Sequence, residues 1–171
     1  VLRALTVLRT RDALGEAIAS NCFSIASFRV VRALSQYQSD FATIIDVGAN
    51  KGQFSVAAAR RFPRATIHAF EPIDGAFRQL QKNIARYPNV TAHHKALGGS
   101  VGMVRFFQNQ FDQVSSALEI DPANHQPYFD HAAVRQISVK MDRLDRLAPD
   151  LNLERPTLLK LDVQGYEKQV L

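Results

Sequence analysis

Three acids stand where the chain could turn them toward a ligand: Asp46, Glu71 and Asp162. Each closes a short apolar run: Ile44-Ile45, then Thr66-Ile67-His68-Ala69-Phe70, then Leu158-Leu159-Lys160-Leu161. Asp46 is followed by Val47-Gly48-Ala49-Asn50-Lys51-Gly52, a small-residue turn that opens a helix at Gln53-Phe54-Ser55. Glycines at Gly48 and Gly52 let the backbone fold tightly and approach a ligand where a side chain would collide. Glu71 follows Gly52 by nineteen residues, where a carboxylate can accept hydrogen bonds from the two hydroxyls of a ribose. Taken singly, the glycines fit a plain tight turn, Asn50 fits a helix cap, and Glu71-Pro72 fits a helix start. Together they point to a site for a nucleoside-containing cofactor.

These residues need a parallel sheet to hold them. Phe41 to Val47 is apolar apart from Thr43 and Asp46, as expected of a central strand covered on both faces. Phe54, Ala57, Ala58 and Phe62 line one face of a first helix that Pro63 ends. Thr66 to Phe70 is a second strand. Phe77, Leu80, Ile84 and Tyr87 give a second helix its buried face, and Val90 to Lys95 is a third strand. Strands alternating with helices of this length predict an α/β fold with a doubly wound, mostly parallel sheet. Met103 to Gln108 and Val134 to Met141 read as strands of an added hairpin. The polar stretch 109–133 between them has the length of a lid or binding loop. Leu144-Asp145 leads a short helix ended by Pro149. Pro156 to Leu161 is the next core strand, and Gly165-Tyr166-Glu167 opens a last helix. Val1 to Gln38 reads as helix and forms an N-terminal helical cap, giving a 1–40 helical segment before a 41–171 cofactor-binding domain.

The chain has 171 residues, 46% hydrophobic, enough for one buried core. The single cysteine, Cys22, rules out an internal disulfide and fits a reducing compartment such as the cytoplasm. No apolar run reaches the roughly 18 residues of a membrane span. The net charge of +5 comes from scattered residues such as Arg60, Arg61, Arg64, Arg135 and Lys140, with no basic run interleaved with aromatics. Nucleic acid is therefore not an expected partner, while peripheral contact with an anionic membrane surface stays open.

A nicotinamide-binding turn reads Gly-x-Gly-x-x-Gly. Here Asn50 stands where a second glycine would sit, and Phe54 and Ser55 replace the close-packing glycine of the helix. An acid just before the turn repels a pyrophosphate but suits a cation. S-adenosylmethionine has an ammonium, a positively charged sulfonium and no phosphate. Asp46 and Glu71 thus favour S-adenosylmethionine over NAD.

The segments Ile45-Asp46-Val47-Gly48-Ala49-Asn50-Lys51-Gly52, Phe70-Glu71-Pro72, Ala96-Leu97-Gly98, Ser115-Ser116-Ala117-Leu118, Leu144-Asp145 and Leu159-Lys160-Leu161-Asp162-Val163-Gln164-Gly165-Tyr166-Glu167 occur in that order. Together, over about Thr43 to Leu171, they resemble the FkbM family of S-adenosylmethionine-dependent methyltransferases. The resemblance implies a Rossmann-like class I methyltransferase fold and, most often, O-methylation of a hydroxyl on a sugar, glycan or secondary metabolite. It places Asp46, Gly48, Ala49, Asn50, Gly52, Phe54, Glu71, Pro72, Ala96 and Leu97 around the cofactor, and Ser115, Ser116, Gln164 and Tyr166 on the acceptor side. Gln164 stands where the family commonly has an acid, and Tyr166 where it has a small residue, so the acceptor cannot be copied from a relative. By the same resemblance the domain is C-terminally incomplete: the sequence begins without methionine and stops four residues beyond Glu167. The piece alone is expected to be poorly soluble or partly unfolded and inactive, because the strand before Asp162 would be an apolar sheet edge.

Asp162 is the expected catalytic residue. It ends the strand expected beside the first one, at the switch point where ligands bind. There it can accept the proton of an acceptor hydroxyl, orient that hydroxyl, or hold the cofactor ammonium; the plainer alternative is a helix cap at Gly165. Glu167 reads as structural. His93 and His94 alternate faces, so both cannot reach one metal, and no metal site is expected. His125 or His131 could serve as a base, although an exposed loop position suits each better. Three alternatives to a small-molecule methyltransferase remain. An NAD-linked oxidoreductase or epimerase would need a pyrophosphate cradle. A base-methylating enzyme would need an Asn/Asp-Pro-Pro-aromatic strand end where Asp162-Val163-Gln164-Gly165 stands. The third is a non-catalytic nucleotide-binding scaffold.

Overall fold

The computed structural model describes residues 22–109, 115–116 and 134–171. Helix α1 (Ile25–Tyr37) leads into strand β1 (Thr43–Val47), helix α2 (Gln53–Arg61), strand β2 (Thr66–Phe70), helix α3 (Asp74–Ile84) and strand β3 (Val90–His93). Strands β4 (Ala96–Leu97), β5 (Gly102–Asn109), β6 (Ser115–Ser116) and β7 (Val134–Asp142) follow. Helix α4 (Leu144–Leu147), a 3-10 turn (Ala148–Leu151), strand β8 (Thr157–Leu161) and helix α5 (Glu167–Val170) complete the order.

Two sheets result. The first is wholly parallel, in the order β3-β2-β1-β8, and the second runs β4-β7-β5-β6. The expected alternation of strand and helix is therefore present, and β8 lies beside β1 as the switch-point argument requires. The expected hairpin is the long antiparallel β5–β7 pair, and β4 joins its sheet in parallel with β7.

Strand periodicity divides the core. Ile44, Ile67 and Ala69 face α2 and α3 and pack with Val31 of α1, Ala58, Leu80 and Ile84. Ile45, Val47 and Phe70 face the other way, onto Leu151 and Val170. All five residues of β1 are buried, which is why its sequence lacks the alternation of a half-exposed strand. A third cluster, Ile73, Ala96, Phe106, Val139 and Met141, fastens the second sheet to the start of α3.

Several boundaries differ from the sequence expectation. The third strand ends at His93, and Lys95 N–H bonds the His93 carbonyl (3.0 Å), so Ala96 and Leu97 leave the first sheet for the second. Pro149 does not end the short helix; it lies in the first turn of the 3-10 segment, where its missing N–H costs nothing. Asn50 is not the cap of α2, since Gly52 occupies that position with a left-handed φ of 89°. Pro72 does not open α3, which begins at Asp74 after Ile73. Of the predicted N-terminal helix, Ile25–Tyr37 is helical, with Ser24 accepting from the Ser27 N–H at its start; residues 1–21 lie outside the described residues, as do His125 and His131. No helix among the described residues is long and apolar enough to cross a membrane.

His93 and His94 do point to opposite faces. His94 stacks on Phe77 (4.3 Å between ring centres), while His93 stacks on Phe70 (4.4 Å) and meets His68. The Leu151 carbonyl lies 3.0 Å from His68 Nε2, so that nitrogen carries the proton and Nδ1 accepts from His93 Nε2 at 3.2 Å. Burial, with the nearby charges of His68 and Lys95, lowers the His93 pKa to about 4, and burial lowers that of His68. Both rings are thus neutral in the fold. A base whose folded pKa is depressed contributes stability that is complete above its free value and is lost as pH falls toward the folded value. Between about pH 6.5 and about pH 4 the pair therefore destabilises the fold progressively. Melting curves across this window should show a steeper acid loss for the wild type than for His93→Gln. Parallel curves would contradict the pairing.

Candidate functional site

The turn after β1 is held by the neighbouring strand. The N–H groups of Gly48 and Ala49 both donate to the Phe70 carbonyl, at 3.0 and 2.9 Å. Gly48 (φ 75°), Asn50 (φ 50°) and Gly52 (φ 89°) are all left-handed, a sequence of conformations that glycine and asparagine tolerate best. Gly48 also faces the end of β8: a Cβ there would lie 2.2 Å from the Asp162 carbonyl oxygen. Gly52 has a different reason to be glycine, because its Cβ would press on Leu80 at 2.8 Å.

Glu71 sits at the end of β2, 5% exposed, with both oxygens engaged. Oε2 accepts the Asn50 N–H and Oε1 the Ile73 N–H, each at 2.8 Å. Two backbone donors fix the carboxylate and leave it lone pairs for a ligand. Burial raises its pKa to about 6. The two N–H bonds oppose that rise, the Asp46 charge adds to it, and Lys160 opposes it.

A cavity opens at the carboxyl ends of β1, β2 and β8. Gly48, Asn50, Glu71 and Pro72 form one wall, Ala96, Leu97, Phe106 and Met141 an apolar one, and Asp162, Gln164 and Tyr166 a third. Nine expected site residues are thus brought together: Gly48, Asn50, Glu71, Pro72, Ala96, Leu97, Gln164, Tyr166 and Asp162, the expected catalytic residue. Its described lining carries two carboxylates and no lysine, arginine or histidine.

Asp46, Ala49, Gly52 and Phe54 stand behind this surface and do not line it. Ala49 and Phe54 belong to the core around α2. Asp46 is fully buried, accepts from Ser55 Oγ at 2.6 Å and lies 2.9 Å from Lys160 Nζ. The cation it faces is therefore a lysine of this chain. Ser115 and Ser116 pair with Gln108 and Phe107 as β6, and Ala117 and Leu118 lie outside the described residues.

Asp162 lies at the cavity edge with its side chain 59% exposed. Its N–H bonds the Val47 carbonyl (3.0 Å), and Oδ1 accepts from the Gln164 amide at 3.4 Å. It does not cap the last helix. The N-cap of that helix is Tyr166, with no side-chain cap bond, and Glu167 Oε1 instead reaches back to accept the N–H groups of Gly165 (3.2 Å) and Val163 (3.4 Å); N–H donors, its own first, lower its pKa. Gln164 and Gly165 are consecutively left-handed (φ 54° and 94°), which makes the sharp turn that carries Gln164 and Tyr166 to the cavity.

Sequence reasoning missed Lys160. Its Nζ approaches Asp46, the Gly48 carbonyl (3.2 Å) and Asp162 (3.5 Å), and lies 5.7 Å from the centre of the Phe54 ring. The signal was a charge inside an otherwise apolar strand.

Residues 46–171 match the family model of the methyltransferase FkbM domain. The chain belongs to the FkbM methyltransferase family. It is 30% identical over 168 residues to Methyltransferase 1 of Beauveria bassiana, covering 91% of this chain and 64% of that protein. It is 28% identical over 139 residues to the 2-O-methyltransferase NoeI of Sinorhizobium fredii, covering 75% of this chain and 55% of that protein. The chain thus spans somewhat over half the length of these FkbM relatives. Among solved structures, the N-terminal domain of EvdMO1, crystallised with SAH and D-fucose, matches at 21% identity with a TM-score of 0.37, over 41% of this chain and 30% of that one.

Proposed function

We propose that this FkbM domain holds S-adenosylmethionine in the cavity and directs its methyl group to a hydroxyl of a sugar, glycan or secondary metabolite. In this proposal residues 41–171 form the cofactor-binding unit, behind a 1–40 helical segment. The observation that carries it is the charge of the cavity lining, two carboxylates and no basic side chain. That lining suits a ligand bearing a sulfonium and an ammonium and repels a pyrophosphate, which disfavours NAD. When bound, S-adenosylmethionine supplies an electrophilic methyl on a positively charged sulfur. Glu71 holds the ribose hydroxyls, Ala96 and Leu97 flank the adenine, and the turn at Gly48 and Asn50 lies against the rest. Asp162 orients the acceptor hydroxyl and accepts its proton at a carboxylate oxygen, while Gln164 and Tyr166 shape the acceptor space. A hydroxyl acceptor accords with the name of NoeI, a 2-O-methyltransferase.

Glu71→Ala should weaken S-adenosylmethionine binding by about 1–3 kcal/mol, the worth of lost bonds to a charged acceptor. Binding needs the ionised carboxylate. Affinity should therefore hold at neutral pH and fall as pH drops through about 6, and the pH dependence should vanish in the variant. Unchanged affinity with a lowered melting temperature would leave Glu71 only its turn-fixing role. The reaction itself is tested with isotopically labelled S-adenosylmethionine and a panel of sugars and glycans, using the full-length protein. Label should appear as one methyl ether on the product; label on nitrogen or carbon would refute the hydroxyl assignment.

A further inference from the structure

Lys160 of β8 and Asp46 of β1 are cross-strand partners in the parallel register, both turned toward α2. Lys160 Nζ donates to the Gly48 carbonyl at 3.2 Å and forms ion pairs with Asp46 Oδ1 at 2.9 Å and Asp162 Oδ2 at 3.5 Å. The side chain is 20% exposed and is not part of the cavity lining, whereas Gly48 and Asp162 are. The other side-chain contact on the Asp162 carboxylate is the long Gln164 amide bond. Asp46, with no exposed surface, cannot bury its charge without a counter-charge, and Lys160 is the cation that touches it.

We propose that Lys160 is a positioning residue of the transfer site: its ammonium ties the Gly48 turn to the Asp162 carboxylate, with Asp46 as its buried counter-charge. Asp46 then acts on the ligand through Lys160. This rests on the cofactor assignment above for its binding readout but not for its structural one.

Lys160→Met alone strands the Asp46 charge and should melt early, so the test variant is the charge-balanced Asp46→Asn/Lys160→Met in the full-length protein. Its melting temperature should return close to the wild-type value. Amide hydrogen exchange at residues 46–52 and 160–166 should nevertheless be faster than in the wild type. Calorimetry should give S-adenosylmethionine affinity about tenfold weaker, as expected for loss of charge-assisted contacts that set the site. Lys160→Arg, which keeps the charge and donors, should recover part of both. Wild-type exchange and affinity in the balanced variant would overturn the proposal, leaving Lys160 as a counter-charge alone. Nitrogen-edited NMR of the wild type decides the matter should that variant not fold. A Lys160 ammonium protected from solvent, with contacts to Gly48 and Asp162, supports the tie; one exchanging as fast as a surface lysine refutes it. Failure of the wild type to bind S-adenosylmethionine would refute the cofactor assignment instead, and the exchange and NMR readouts would still judge Lys160.

Discussion

Asp162→Asn in the full-length protein should lower turnover with a hydroxyl acceptor by about 10²–10³-fold, the usual worth of a positioned general base. S-adenosylmethionine affinity should change far less. Asparagine keeps the shape and can still meet the Gln164 amide, so the substitution removes charge and proton affinity while sparing the turn. In an in-line displacement from sulfonium to oxygen, the attacking hydroxyl gains positive character only as the bond forms. A carboxylate beside it therefore acts mainly in the transition state, which kinetics report as a loss in kcat. Equal losses in turnover and cofactor affinity would make Asp162 chiefly a cofactor ligand.

Gly48→Ala should be the most damaging single methyl in the fold. Alanine is strained at φ 75°, and its Cβ would be placed 2.2 Å from the Asp162 carbonyl oxygen, a backbone atom that cannot swing away. Relief requires β1 and β8 to separate at the ends that form the cavity. Urea denaturation should register a loss of about 3–5 kcal/mol, in the range of buried backbone clashes, together with loss of cofactor binding. Gly75→Ala is the internal control. It lies in α3, has no atom within 4 Å of the added Cβ, and should be neutral or stabilising by up to about 1 kcal/mol. Similar costs at the two positions would mean that the turn and the β8 end are not in contact.

The core sheet was readable because its rules are local. The fully buried strand Thr43–Val47, the glycine turn and the acid closing Thr66–Phe70 each declare themselves within a few residues. Glu71, Gly48 and Asp162 could be nominated on that basis, since strand ends at a switch point converge. The partnership of Asp46 was not readable. It depends on the register of β1 against β8, which brings Lys160 to a carbonyl 112 positions away in sequence. An acid in a cofactor turn reads as a ligand for the cofactor's cation until a lysine of the chain is found beside it. The His68–His93 pair was hidden for the same reason: cross-strand neighbours on one face carry no mark in either strand alone. The transfer of Ala96 and Leu97 to the second sheet followed from pairing with β7, another distant partner.

The cofactor claim is tested most directly by calorimetric titration of the full-length protein with S-adenosylmethionine and, separately, with NAD at neutral pH. The acid-lined cavity predicts saturable one-site binding of S-adenosylmethionine that Glu71→Ala weakens, and no measurable binding of NAD. Binding of NAD in its place, or S-adenosylmethionine binding indifferent to Glu71, would contradict the account.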